Sequence, residues 1–225
     1  MRLIALLALT FAALPAQAER LSLRPVDQGD RDPSLVEFRR GLLAGVAARD
    51  IDAVVAAACP DIYLSHGGDG GPDELRHNLT LPPETLADEF RDQADEMRDA
   101  YWTALQDTLS APGYFDDQGE FWMPFQWQIR LPASVDPFTA YFVTGTRVTL
   151  RADPSADARI LDLISHEVVL IDAYNPDAEY QKVKLTDGTN GYMHRDFLWS
   201  MVGYRAALAK SPDGKWQLCT FVTGD

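Results

Sequence analysis

The spacing of apolar residues changes partway along the chain. Up to about residue 110 they recur every three or four positions, and beyond about residue 140 they alternate with polar ones. In "DPSLVEFRRGLLAGVAARD", Leu35, Phe38, Leu42 and Val46 share one helical face. Asp32 is placed to cap that helix, and Pro33 sits in the first turn, where its missing N–H costs nothing. Asp50 caps a second, short helix carrying Ile51, Val54, Val55 and Ala58, which Pro60 ends. "IYLS" then predicts a strand running into a glycine-rich loop, "HGGDGG", with a helix to follow. From Pro83 the pattern predicts one long helix, with Leu86, Phe90, Ala94, Met97, Tyr101, Leu105 and Leu109 as a continuous stripe. "APG", from Ala111 to Gly113, stops it.

The aromatic segment that follows, "YFDDQGEFWMPFQWQIRLP", holds Tyr114, Phe115, Phe121, Trp122, Phe125 and Trp127. Sealing helices against a sheet is the expected use of so much apolar area, and stacking on sugar rings is the other. Next come five short alternating runs, "TRVTL", "RILDLIS", "EVVLIDAY", "YQKVKL" and "GYMH", the texture of a small barrel or sandwich. "LTDGTNG" predicts a hairpin turn, with Asp187-Gly188 and Asn190-Gly191 supplying residues that tolerate positive φ. "YRAALAKSPDGKWQLCTFV" is a second hairpin, turned at "SPDG".

Charge and compartment narrow the picture. Residues 1–18, "MRLIALLALTFAALPAQA", have the basic start, apolar run and small-x-small end of a signal peptide, which predicts an exported chain beginning at Glu19. The run is too short for a membrane span, so no membrane insertion is expected. A formal net charge of −14 opposes phosphate backbones and anionic lipid, which excludes nucleic acid as a favoured partner. Cys59 and Cys219 are the only two cysteines. In an oxidising compartment they are expected to form a disulfide, two buried free thiols being the alternative.

Residues from about Val143 to Leu198 resemble a bacterial Src-homology-3-like (SH3b) domain. The family opens with a strand and L-N-V-R-S-G-P-S; here "VTLRADPS" supplies Val148, Leu150, Arg151, Pro154 and Ser155, with Thr149 and Asp153 in place of Asn and Gly. The family's G-W-x-K-V, turn, G-W-V ending is matched by "EYQKVKLTDGTNGYMHRDFL", with Tyr180 and Tyr192 where Trp is common. More faintly, "AARDIDAVVAAACPDIYLS" and the closing "DGKWQLCTFVTGD" are similar to SnoaL-like, cystatin-type α+β domains. Together the resemblances imply an α+β protein. Its helix-rich domain, residues 32–140 after a polar leader at 19–31, is completed by a C-terminal hairpin at 199–225, and an SH3-like β-barrel at 141–198 lies between them.

Catalytic signatures fail one by one. The glycine loop lacks the lysine of a phosphate loop and the spacing of a dinucleotide fingerprint. His66, Asp69, Asp73 and His77 lack the tight pairing of zinc ligands, so no metal and no cofactor are expected. "QLCTFV" imitates a cysteine endopeptidase of the NlpC type, but no histidine follows Cys219. No G-x-S-x-G elbow exists, and His66, His77, His166 and His194 are scattered.

Two readings follow. The first is a non-catalytic periplasmic or secreted binding or scaffolding protein acting through the SH3-like domain on a peptide, a protein or a cell-wall fragment. The resemblance implies a groove between "RADPSADA" and "YNPDAEY", with Tyr174, Tyr180 and Tyr192 edged by Asp153 and Asp157, suited to a cationic or proline-containing peptide. The second is an enzyme or small-molecule binder using a cavity in the α+β domain near His66 and Asp69. A hollow core favours the second reading and a filled one the first.

Overall fold

The structure, a computed structural model, describes residues 20–224. The predicted signal peptide lies outside the described residues. Among the described residues the fold is α+β, with four α-helices and two sheets.

Helix α1, Pro33–Ala47, starts where the sequence predicts: the Asp32 carboxylate accepts from the amides of Ser34 and Leu35. It buries Leu35, Leu42 and Val46. Helix α2, Ile51–Ala56, is capped by Asp50 through the amide of Ala53. Strand β1, Ala58–Tyr63, begins earlier than expected and includes Pro60. The proline is tolerated because β1 is an edge strand, where one ladder donor can be spared. Helix α3, Gly71–Thr80, follows the glycine loop.

The long helix expected from Pro83 is shorter. Residues Pro83–Thr85 and Asp88–Gln93 form 3₁₀ turns, and helix α4 runs only from Ala94 to Ser110. Its buried face is Ala94, Trp102, Leu105, Thr108 and Leu109, while Phe90 and Met97 from the expected stripe stay exposed. The indole of Trp102 donates to the Leu79 carbonyl and so locks α4 to α3.

Strands β2, Tyr114–Phe115, and β3, Phe121–Met123, form a short hairpin. The last two strands, β11, Arg205–Lys210, and β12, Trp216–Val222, are the hairpin turned at Ser211–Gly214. This hairpin joins the two ends of the first sheet, whose order is β1-β12-β11-β3-β2, with β1 parallel to β12 and the rest antiparallel. Helices and sheet enclose one apolar core, in which Leu35, Ile62, Leu75, Leu79, Leu105, Leu109, Phe121 and Phe221 are fully buried. Cys59 and Cys219 are bonded across β1 and β12, their Cα atoms 4.8 Å apart.

The second sheet is antiparallel. Its strands are β4, Ala140–Val143; β5, Val148–Arg151; β6, Ile160–Ile164; β7, Val168–Leu170; β8, Tyr180–Leu185; β9, Asn190–His194; and β10, Leu198–Ser200. They pair in the order β10-β4-β7-β8-β9-β5-β6, and among the described residues the end strands β10 and β6 are not paired to each other, so the ladder does not close. All five runs expected as strands are strands. The β8–β9 turn is tighter than expected, because Asn190 and Gly191 belong to β9 and only Asp187-Gly188 bends the chain. Gly191 is required by packing, since a Cβ there would lie 2.7 Å from the Leu150 side chain.

One face of this sheet buries Val143, Val148, Leu150, Ile164, Val169, Val183, Leu185 and Met193. At the β4–β7 end the opposite face is also covered: Ala140, Phe142 and Val168 pack with Phe125, Met201, Leu21 and Leu23. The segment expected as a polar leader is therefore a strap. Leu23 donates to the His166 carbonyl, Val168 donates to that of Leu21, and farther on Gln28 donates to the Gly113 carbonyl beside β2. Leu21 and Leu23 turn inward because the His166 carbonyl and the Val168 amide, at the start of β7, pair with them beside an apolar face.

Candidate functional site

Residues directly opposite each other in an antiparallel pair project to the same face. In β8, Gln181, Val183 and Leu185 are buried, so Tyr180, Lys182 and Lys184 face outward. Across the hairpin Tyr180 stands opposite His194, and Lys182 opposite Tyr192. On the far side of β9, Tyr192 stands opposite Arg151 of β5. The outward surface of β5, β8 and β9 thus carries Tyr180, Tyr192, Lys182, Lys184, Arg151 and His194.

The rings there are ordered by edge contacts. His194 lies edge-on to Tyr180, centroids 5.1 Å apart, and to Phe197 at 6.3 Å. Phe197, in the 3₁₀ turn Arg195–Phe197, is 40% exposed, although its neighbours anchor the chain on both sides. Arg195 fixes the preceding loop by donating to the Pro176 carbonyl at 2.6 Å. Arg151 closes the loop that follows it by donating to the Ala158 carbonyl at 2.8 Å. Among the described residues no carboxylate lies within ion-pair distance of Lys182 or Lys184.

The expected site residues fall into three places. Tyr180 and Tyr192 share the outward face described above. Tyr174 does not join them: its ring stacks on Tyr141 at 5.5 Å, and Tyr141 is opposite Val169, on the face that packs inward. Burial, with Tyr174 adding to it, raises the Tyr141 phenol pKa above its ordinary value. Asp153 and Asp157 are exposed in the β5–β6 loop, beyond Arg151. In register, then, the immediate neighbours of Tyr192 are cations rather than carboxylates. Lys182, Arg151, His194 and Phe197, which lie beside Tyr180 and Tyr192, were not among the expected residues, although the strict alternation of "YQKVKL" carried the signal for Lys182.

The glycine loop is a structural turn. Glu74, in the first turn of α3, reaches back to accept from the Gly70 amide at 2.7 Å and from the Ser65 hydroxyl at 3.1 Å. Ser65 in turn accepts from the Gly68 amide at 2.8 Å. His66 is exposed, with Nδ1 2.8 Å from the Tyr63 hydroxyl, and Asp69 is exposed at the loop tip.

Aromatic rings pack together in the adjoining core. Tyr101 packs edge-on against Tyr204 and Phe221, and Tyr204 stacks on Phe221 with centroids 4.6 Å apart. Burial, reinforced by nearby Tyr204 and Glu74, drives the Tyr101 phenol pKa far up, so this wall stays neutral. No group of three or more histidine, cysteine or acidic side chains able to hold a metal occurs among the described residues. No helix among them is long and apolar enough to cross a membrane.

Comparison of the chain with protein-family models, with curated proteins and with solved structures finds no match.

Proposed function

We propose that this is an exported, non-catalytic binding protein whose SH3-like domain engages an extended, acidic peptide segment on the outward face of β5, β8 and β9. The observation that carries this reading is the pairing of Tyr180 and Tyr192 with Lys182, Lys184, Arg151 and His194 on one solvent-facing side of a rigid hairpin. Aromatic rings supply flat contact area at little conformational cost, and Lys182 and Lys184, which no carboxylate among the described residues pairs, select carboxylates. The chain as a whole is strongly acidic, so this patch stands out as a local exception to the long-range field. A cationic peptide, favoured by the carboxylates at Asp153 and Asp157, is the weaker fit because those residues do not border Tyr192 in register.

Carboxylate-bearing peptides occur both in proteins and in the stem peptides of cell walls. The bonded pair Cys59–Cys219 and the apolar run at residues 1–18 support placing the protein in an oxidising compartment outside the cytoplasm. The packing of Tyr101, Tyr204 and Phe221 in the α+β core supports binding over catalysis.

The test compares the wild type with Tyr180→Ala and with Lys182→Glu/Lys184→Glu in pull-downs from periplasmic extract and from isolated cell wall. Loss of the captured material in both variants, with weaker capture by the wild type at high salt, supports the reading. Unchanged capture by folded variants in both arms excludes this face.

A further inference from the structure

The aromatic segment after α4 divides in two. Phe115 and Phe121 turn into the core, where Phe115 contacts Phe121 and Trp216. Tyr114 and Trp122 are opposite each other in the β2–β3 pair and therefore share the other, outward face. Trp127, from the 3₁₀ turn Phe125–Gln128, folds back toward that face. Tyr114, Trp122 and Trp127, with Asp116, Gln128 and Arg130, line a cleft of about 450 Å³. That volume lies within the range of small-ligand sites, about 300–1,000 Å³.

The rings are held in place. The indole N–H of Trp122 donates to one Asp116 carboxylate oxygen at 3.1 Å. The other oxygen accepts from the amides of Gln118 and Glu120, each at 2.9 Å. The hairpin tip, the carboxylate and the indole are thus one rigid unit. Trp127 is backed on one side by the guanidinium of buried Arg205, 4.1 Å from the ring centroid. Tyr114 is half-buried, and its phenol lies close enough to Asp116 and Arg130 to feel both charges.

We infer that this cleft is a second binding site, for a neutral pyranose-based oligosaccharide. A pyranose has a C–H face that stacks on an aromatic ring and a rim of hydroxyls that both donate and accept. The cleft answers each part: three partly exposed rings for the faces, carboxylate oxygen of Asp116 to accept, and the Arg130 guanidinium and Gln128 amide for the remaining hydroxyls. A purely apolar ligand strips water from Asp116, Gln128 and Arg130 without replacing its hydrogen bonds, which costs binding free energy. A nucleotide brings phosphate next to Asp116 and Asp117, which repel it. The inference is independent of the β8–β9 face.

The experiment titrates chitohexaose, cellohexaose and maltohexaose into the protein, read by tryptophan fluorescence and by calorimetry. At least one hexasaccharide is expected to bind and to perturb the emission. Trp122→Ala should weaken that binding about tenfold, the scale of one lost aromatic stacking contact. Arg130→Ala, at an exposed position, and Gln128→Ala, which also removes a bond to the Phe125 carbonyl at 3.0 Å, should each weaken it by a smaller factor, and Tyr180→Ala should leave it unchanged. Absence of binding by all three sugars at millimolar concentration overturns the proposal. So does binding that persists unchanged in Gln128→Ala and Arg130→Ala together with a folded Trp122→Ala.

Discussion

Cys59 in β1 and Cys219 in β12 are covalently joined across a sequence separation of 160 residues. They meet because β1 and β12 run parallel with Ala58 opposite Leu218, which brings the next residue on each strand side by side. The bond therefore ties the start of the five-stranded sheet to the last strand of the chain, with the whole second sheet looped out between them.

Removing this link should be costly. Loop-closure entropy for so long a separation gives at most about 5 kcal/mol, and loss of a native disulfide commonly costs about 2–5 kcal/mol. Cys59→Ala/Cys219→Ala should lower the urea midpoint correspondingly while leaving the far-ultraviolet circular dichroism of the folded protein unchanged. Denatured, unreduced wild type should titrate no free thiol; two titrated thiols count against the bond.

Gly70 gives a sharper test of the glycine loop. Its φ is 69° and ψ −164°, a region open essentially to glycine alone, and an added Cβ would lie 2.6 Å from the Ile62 carbonyl oxygen. Gly70→Ala should destabilise by about 1–3 kcal/mol. Gly67→Ala, where no atom lies within 4 Å of the new Cβ, should be nearly silent. Equal effects at the two positions, read from unfolding midpoints, would show that conformation at Gly70 is not what the loop requires.

Much of this architecture was legible because local signals agreed with the global fold. Asp32 and Pro33 announced α1, the alternation in "YQKVKL" announced β8, and "SPDG" announced the last hairpin. The failures share a cause: they depend on what a residue meets across the fold. Phe90 fits a helical stripe, yet it stays about half exposed, and its segment winds into 3₁₀ turns instead. Leu21 and Leu23 look like part of a polar leader until His166 and Val168 supply them with backbone partners. Gln181 is buried beside Val183 only because the loop before it provides carbonyls at Asn175 and Ala178 for its amide. At the candidate site, loop proximity suggested Asp153 and Asp157 beside Tyr192, whereas strand register brings Arg151 and Lys182 there.

The N-terminal strap should loosen in acid, and the order of events can be assigned. Arg20 forms a two-point ion pair with Glu167, at 2.6 and 3.0 Å, and a further bond to Asp162 at 2.8 Å. Leu21 donates to the Thr186 hydroxyl, and Leu23 to the carbonyl of His166. His166 has a φ of 55° and stacks on Phe142, and its Nε2 is 3.0 Å from the Thr146 hydroxyl.

Burial lowers the His166 pKa below its ordinary value of 6.5. The folded state therefore disfavours the imidazolium, and the unfolded chain binds the proton first. Stability from this group is intact above about pH 6.5 and declines as pH falls from there toward the lowered folded pKa. Asp162 is lowered by the Leu163 amide first and Arg20 second, so its contribution holds above its ordinary value of 3.8 and is lost only as pH falls through the folded one. Asp187, whose charge also reaches Arg20, is lowered mainly by the Thr189 amide and follows the acidic group.

Two steps are thus expected, the histidine before the carboxylates. Hydrogen exchange, corrected for the intrinsic rate, should show the Leu23 and Val168 amides losing protection between neutral pH and the carboxylate range. His166→Asn, which tolerates positive φ, should remove this first step, and Arg20→Gln should lower protection already at neutral pH. Protection of both amides that stays constant down to the carboxylate range in the wild type would place the acid response elsewhere than at His166.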